Sequence, residues 1–321
     1  MDPDSESTDA SDVRALRERS LPADVERLVE RYLETVPERG RYVWGWLDDA
    51  LPTFRLSSVP PSLTEPADEA RLLLLVYVTA LNDLADRRED DAAFEAAAAV
   101  PRRDREPSAG SDPAVRVAAD AWTALLDHLE GAPRADARLD TLVRDVRWAC
   151  AGLRHGAHAA ANPAAVTYEE CLHAQAPTMC MDPLATVDLT YSPTFDPTEE
   201  PAVREAVALA ESVARVGNWL TTWERELAEG DLANGVVVKA VEDGVVTPEA
   251  ARAARTDPST RPSFRDRIVD RGVERAVARD WRRRFRRVTG ASWSVDTVDL
   301  EGYVSAMAGI RRRQDAGRGR K

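Results

Sequence analysis

Asn218-Trp219-Leu220-Thr221-Thr222-Trp223-Glu224-Arg225-Glu226 sits near the end of a strongly helical stretch, 199–229, and is followed by Gly230-Asp231-Leu232-Ala233-Asn234. Asn218, Thr222 and Glu226 are four residues apart. Each step of four turns about 40° around an α-helix, so the three share one stripe. Helical side chains lean toward the N-terminus, which lets the long Glu226 reach back toward the shorter Thr222 and Asn218. An amide oxygen, a hydroxyl and a carboxylate converging on one point make a hard, all-oxygen set suited to Mg²⁺. The plain alternative is a stripe facing water, because a buried polar stripe is costly unless satisfied.

A second polar cluster, Asn82-Asp83-Leu84-Ala85-Asp86, ends the apolar run Leu72 to Leu81. On a regular helix Asp83 and Asp86, three apart, and Asn82 and Asp86, four apart, share a face. A face that turns from apolar to carboxylate suits the metal-lined rim of a cavity. Taken alone it also fits the solvated end of an amphipathic helix.

The pattern around Asn218, with Arg225 in a basic place before Glu226 and Gly230-Asp231 and Asn234 downstream, resembles the second metal motif of class I terpene synthases. Asn82-Asp83 with Asp86 resembles the family's aspartate-rich motif, which usually begins with Asp. The resemblance covers roughly residues 20 to 310, and its spacing suits microbial members. It implies an all-α, single-domain helical bundle with a central cavity. It also implies Mg²⁺-dependent ionisation of a linear prenyl diphosphate (farnesyl, geranyl or geranylgeranyl), followed by cyclisation or rearrangement of the carbocation and release of diphosphate. Asn82, Asp83, Asp86, Asn218, Thr222 and Glu226 become the expected ligands of three Mg²⁺ ions. Tyr77, Thr79, Gln175, Cys180 and Trp219 are expected to contact substrate, with Trp44 a further aromatic candidate. Two alternatives stay open: a prenyl-chain synthase of the same fold, and a catalytically silent prenyl-diphosphate-binding protein. Asn-x-x-x-Thr-x-x-x-Glu on the second helix argues against the first, since such enzymes carry Asp-rich motifs on both helices.

Between the two motifs the family carries a diphosphate-sensing arginine just before a helix break with a small residue. Here that segment is Tyr168 to Pro183, with Gln175 or Ala176 in the arginine's place and Cys180 near the small residue. No arginine lies between Arg154 and Arg204. Pro177 and Pro183 each remove a backbone donor, so residues 176–183 are expected to interrupt their helix against the cavity. A substitute guanidinium is expected at the rim: Arg225 first, with Arg311 to Arg313 second, delivered as Tyr303 docks. Arg225 and Tyr303 are accordingly the catalytic candidates.

Composition fits this frame. The formal charge of −13 opposes the basic surface that non-specific binding of nucleic acid or anionic membrane requires. Lys239 and Lys321 are the only lysines among 43 basic residues, an arginine-rich, acidic style like that of extreme halophiles. Cys150, Cys171 and Cys180 are odd in number and widely spaced, offering neither a zinc pair nor a disulfide framework. The acidic N-terminus has no signal-peptide pattern, and the apolar run is shorter than the roughly 20 residues of a membrane span. A cytoplasmic enzyme is expected, and the sequence leaves a homodimer open. Residues 1–20 read as a disordered acidic tail, 21–314 as the domain and 315–321 as a flexible basic tail. His155 and His158, His173, and the run Arg282 to Arg284 read most simply as surface or packing residues.

Overall fold

The computed structural model describes residues 13–36, 40–88, 90–102 and 112–318, and among these it is helical with no strand. The helices are α1 (Ala23–Thr35), α2 (Tyr42–Ala50), α3 (Thr64–Asn82), α4 (Asp91–Ala98), α5 (Pro113–Glu130), α6 (Ala135–Ala161), α7 (Tyr168–Gln175) and α8 (Met181–Thr190). They continue with α9 (Glu200–Glu229), α10 (Gly235–Glu242), α11 (Pro248–Thr256), α12 (Arg261–Asp270), α13 (Val273–Thr289), α14 (Leu300–Ser305) and α15 (Met307–Ala316).

Helix α3 is apolar on nearly all sides and buries Leu72, Leu73, Leu74, Val76 and Tyr77, as a central helix must. It packs along α5, α1 and α8, while α9 packs against α13, α15 and α8. The 30-residue α9 ends at Gly230, whose φ of 93° is open to glycine and costly for other residues. Asn234 then restarts the chain by accepting the Val236 N–H at 2.9 Å as the N-cap of α10. The next residue is also fixed sterically. A Cβ on Gly235 would fall 2.2 Å from the Trp219 ring, so α10 crosses α9 at the second motif only because Gly235 has no side chain.

The segment after α6 is interrupted as expected. Thr167 and Glu170 form a capping box that starts α7. A 3₁₀ turn, Ala176–Met179, follows α7, and Cys180 sits in the left-handed region at φ 59°. Pro177 lies in the 3₁₀ turn, but Pro183 lies in the first turn of α8, where it starts a helix rather than breaking one. The buried carboxylate of Glu211 on α9 accepts the Met181 N–H at 2.8 Å, which ties the break to the second-motif helix.

Several expected boundaries move. Residues 13–18 are helical rather than a continuation of the tail, and Leu16 lies so close to Gly45 that a Cβ there would meet its carbonyl. The rest of that tail, residues 1–12, lies outside the described residues. Helix α3 begins at Thr64, and within it the Asp68 carboxylate accepts from Arg71 at 3.0 Å. Helices α12 and α13 are separated at Gly272, which turns the chain at φ 70°. The C-terminal segment is not loose at its start: Arg318 pairs with Glu274 and Glu224, each at 2.9 Å, and 319–321 lie outside the described residues.

Candidate active site

The helices enclose an open-mouthed cavity of about 1680 Å³. Along α3 its lining changes from Leu75 and Val78 through Thr79 to Asn82, and then to Asp86 just beyond the helix. Opposite, α9 contributes Arg215, Asn218, Thr222, Arg225 and Glu226. Trp46, Phe94 and Met179 add apolar wall. The two polar stripes, far apart in sequence, therefore face a common space.

The first motif does not present all its carboxylates. Asp83–Arg87 forms a π-helical turn, with Arg88 N–H bonded to Asp83 O at 3.0 Å, five residues back. The wider turn rotates Asp83 away from Asp86, contrary to the shared face that regular helix spacing implies. Asp83 is buried and accepts the Tyr32 hydroxyl in the core. Asn82 and Asp86 line the cavity and are hydrogen bonded to each other. Asp83, expected as a ligand, is outside the cavity lining.

The second motif is held by Asn234. Its amide nitrogen donates to Glu226 Oε2 at 2.7 Å, to Thr222 Oγ1 at 3.3 Å and to Trp219 O at 3.2 Å. Thr222 in turn donates to Asn218 O at 2.9 Å. The Thr222 and Glu226 side chains are thus collected by one residue, the N-cap of the next helix, while Asn218 Oδ1 accepts from Arg215 at 3.3 Å. Asp231 also lines the cavity and accepts the Ala233 N–H at 2.8 Å.

Charge in the cavity is unbalanced. Burial, then Asp231 and Glu226, push the Asp86 carboxyl well above the usual carboxylate range, against the pull of Arg215. Asp231 is pushed up to about 6, by burial and then by Glu226. Carboxylates that raise one another in a protein-lined space are suited to a divalent cation, which would relieve both desolvation and repulsion. The hard oxygen donors of Asn82, Asp86, Asn218, Thr222, Glu226 and Asp231 suit Mg²⁺ in kind. Among the described residues, one group of three possible ligands has its atoms within 4.8 Å of one another, and it is Asp24, Glu69 and His128 near the surface.

The remaining expected contacts divide. Thr79, Gln175 and Cys180 line the cavity. Tyr77 does not: it is fully buried on Trp122 and donates to Ala97 O at 3.0 Å. Trp219 is buried behind the lining against Tyr168, and Trp44 is buried edge-on to Tyr32. Trp46, two residues on, is the tryptophan that reaches the cavity, and it donates to Arg313 O at 3.3 Å. Tyr303 lies outside the lining, in the apolar cluster with Phe195 and Met181. Arg311 pairs with Asp315 and Arg313 with Asp49, so neither points into the cavity; Gln314 does instead. Arg225 lines the cavity while bonded to Glu226 at 3.3 Å and to Glu229.

Arg215 and Trp46 line the cavity without having been selected by the motif reading, and Asp231 and Asn234, which belong to the quoted motif, were given no role there. Arg215 lies three residues before Asn218, so extending the stripe by one turn would have reached it.

Cys180 has a measurable consequence. A non-glycine residue in the left-handed region carries about 1 kcal/mol of strain. Cys180→Gly removes that strain along with a small buried thiol, and is expected to change stability by no more than about 1 kcal/mol. Cys180→Val adds β-branching at the same φ in a closed site and is expected to cost roughly 2–4 kcal/mol. Urea unfolding of the two variants measures the difference, and equal stabilities would mean that the backbone at 180 is not left-handed.

The family model described as terpene synthase family 2, C-terminal metal binding, matches residues 74–257, a span containing both polar stripes. Among solved structures, the linalool/nerolidol synthase of Streptomyces clavuligerus in complex with 2-fluorogeranyl diphosphate is similar in fold. The likeness covers 92% of this chain and 98% of that one, at 19% identity and a TM-score of 0.54. Geranylgeranyl pyrophosphate synthetase from Pyrococcus horikoshii Ot3 is similar over 97% of this chain and 96% of that one, at 12% identity and a TM-score of 0.58. At such identities both likenesses are of fold alone. No curated protein matches the chain in sequence. No described helix is long and apolar enough to cross a membrane. The family match spans more than half of the 321 residues, and the chain is therefore a member of terpene synthase family 2, with its metal-binding part at 74–257.

Proposed function

We propose that this terpene synthase ionises a linear prenyl diphosphate with the help of Mg²⁺, three ions in all, and cyclises or rearranges the resulting carbocation. The observation that carries the reading is the single cavity whose wall changes from Leu75 and Val78 to Asn82 and Asp86, facing Asn218, Thr222 and Glu226. The apolar part suits a hydrocarbon chain and the polar part a charged head. Bound Mg²⁺ would neutralise the diphosphate that leaves with the charge of the broken C–O bond.

The chain's own residues do the rest. Asn82 and Asp86 hold one side of the head-group region, and Asn218, Thr222 and Glu226 the other. Asp231 adds negative charge beside Glu226. Asn234 fixes Thr222 and Glu226, and Arg225 braces Glu226 from its own helix. Trp46 and Phe94 present rings to the cavity, where a ring face stabilises a passing cation by about 0.5–2 kcal/mol. The apolar wall limits water, so that the cation rearranges before it is quenched.

The fold likeness to a geranylgeranyl pyrophosphate synthetase keeps chain elongation as the second reading, and the amide and hydroxyl at 218 and 222 weigh against it. The protein should be supplied with geranyl, farnesyl and geranylgeranyl diphosphates and Mg²⁺, with and without isopentenyl diphosphate. Volatile terpenes from at least one substrate without isopentenyl diphosphate are the expected result. Longer diphosphates formed only with isopentenyl diphosphate would replace it with elongation, and inert substrates would replace it with a silent binder.

A further inference from the structure

Arg215 is a cavity-lining cation that, among the described residues, no carboxylate holds. Arg88 pairs with Asp112, Arg154 with Glu95, and Arg225 with Glu226 and Glu229. The Arg215 guanidinium instead donates to two neutral oxygens, Gln175 Oε1 at 2.6 Å and Asn218 Oδ1 at 3.3 Å. Its third nitrogen, Nε, is buried and has no hydrogen-bond partner among the described residues. Its Cζ lies over the Trp219 ring, 5.3 Å from the centroid. Burial pulls its pKa down, and Glu226, Asp86 and Asp231 hold it up, so the charge is sustained by the cavity's field rather than by a direct ion pair.

A buried guanidinium with an unsatisfied donor is costly to keep unless an anion completes it. It is nevertheless well positioned. Gln175 on the interrupted segment and Asn218 on the second motif grip two of its nitrogens, and the Trp219 ring supports it from one side. A planar fork fixed in this way matches two oxygens of a phosphate group, which a flexible ammonium does not.

We infer that Arg215 receives the diphosphate of the substrate, and that Gln175 is the positioning residue that aims it. The inference rests on the proposed function, since it takes the anion to be the substrate's head group. It assigns the anion-binding guanidinium to α9, in place of Arg225 or the Arg311 to Arg313 cluster. It also links the two sides of the site: when the diphosphate takes the fork, the Gln175 contact must adjust, and with it the 3₁₀ turn that Gln175 precedes.

The test uses inorganic pyrophosphate with Mg²⁺ as the probe, read by calorimetry, alongside turnover of the best prenyl diphosphate. Arg215→Gln should weaken pyrophosphate binding by about tenfold or more, as expected for loss of charge-assisted hydrogen bonds. Arg215→Lys keeps the charge without the fork and should fall between that variant and the wild type. Because residues 175 and 215 touch, the exchange Arg215→Gln with Gln175→Arg returns a guanidinium to the same place from the other side, and it should recover most of the lost affinity. A residue that only packs on Trp219 would not be rescued by that exchange, so the rescue also tells a poorly packed Arg215→Gln from one lacking its anion contact. If the wild type binds pyrophosphate and turns over substrate while Arg215→Gln and Arg215→Lys match it, the inference alone is overturned. If Arg215→Gln loses affinity and the exchange recovers none, the role is structural and the inference is also overturned. If the wild type neither binds pyrophosphate nor turns over any prenyl diphosphate, the proposed function falls and the inference with it.

Discussion

Glu226→Gln should lower turnover by about three orders of magnitude while leaving the fold intact. The substitution is nearly isosteric. The Asn234 amide, which donates to Glu226 Oε2 at 2.7 Å, keeps an oxygen to bind in the glutamine, so the cap that starts α10 survives. What is lost is a full negative charge beside Thr222 and Asn218. Metal coordination contributes several kcal/mol to stabilising a developing anion, and each 1.4 kcal/mol is about tenfold in rate. Asp86→Asn on the facing side is expected to act in the same direction, and the Mg²⁺ concentration needed for half-maximal rate should rise in both variants. Asp83→Asn is the informative contrast. Asp83 is buried against Tyr32, so its loss should appear first as lowered stability. Turnover by Glu226→Gln within about tenfold of the wild type, at equal melting temperature, would remove Glu226 from the proposed metal site.

The contrast between Asp83 and Asp86 also marks how far the sequence reading carries. The stripe on α9 was legible because a regular helix converts four-residue spacing into a shared face, and 200–229 is one uninterrupted helix. The same rule misplaces Asp83, because the turn at Asp83–Arg87 is π-helical and nothing in the spacing of Asn82, Asp83 and Asp86 encodes that extra residue per turn. The break before α8 was legible from Pro177, yet the residue that turns the chain is Cys180. Its thiol gives no left-handed signal of the kind a glycine gives. Aromatic residues were the least legible. Trp44 and Trp46 differ by two positions on one short helix, and only packing decides that the first meets Tyr32 and the second the cavity. Tyr77 follows the same logic: it is on the correct helix, but it faces Trp122 and not the stripe of Leu75, Val78 and Thr79.

Arg215 was missed for a different reason. The family's arginine belongs to the segment around Gln175, and that segment has no arginine between Arg154 and Arg204. The fold brings one from 40 residues away to within 2.6 Å of that glutamine. A site assembled from facing helices can keep a charge in place while moving it between chains of sequence, and only the stripe pattern on each helix points to it.

Mg²⁺ should stabilise this protein far more at pH 7.5 than at pH 5. Asp231 titrates near 6, and Asp86 is held well above the ordinary carboxylate range. For an acid whose folded pKa is raised, the associated stability is fully present below the unfolded pKa, near 4, and is lost as pH rises through the folded value. Without metal, ionising Asp231 removes up to about 3 kcal/mol between roughly pH 4 and pH 7, and Asp86 adds to the loss at higher pH. Asp188, buried beside Arg71 and also near 6, and Glu211, pushed well up by burial, move stability in the same direction. Mg²⁺ bound in the cavity would relieve Asp86 and Asp231, which line it, but not Asp188 or Glu211, which do not. The melting temperature without metal should therefore fall across this range, with Mg²⁺ recovering part of the fall. Metal should add little near pH 5, where protons already occupy Asp86 and Asp231. In Asp231→Asn the loss without metal should shrink, and so should the gain from Mg²⁺ at pH 7.5. A gain from Mg²⁺ that is the same at both pH values would mean that the ion binds without discharging these carboxylates, and that the charge imbalance in the cavity is not what the metal answers.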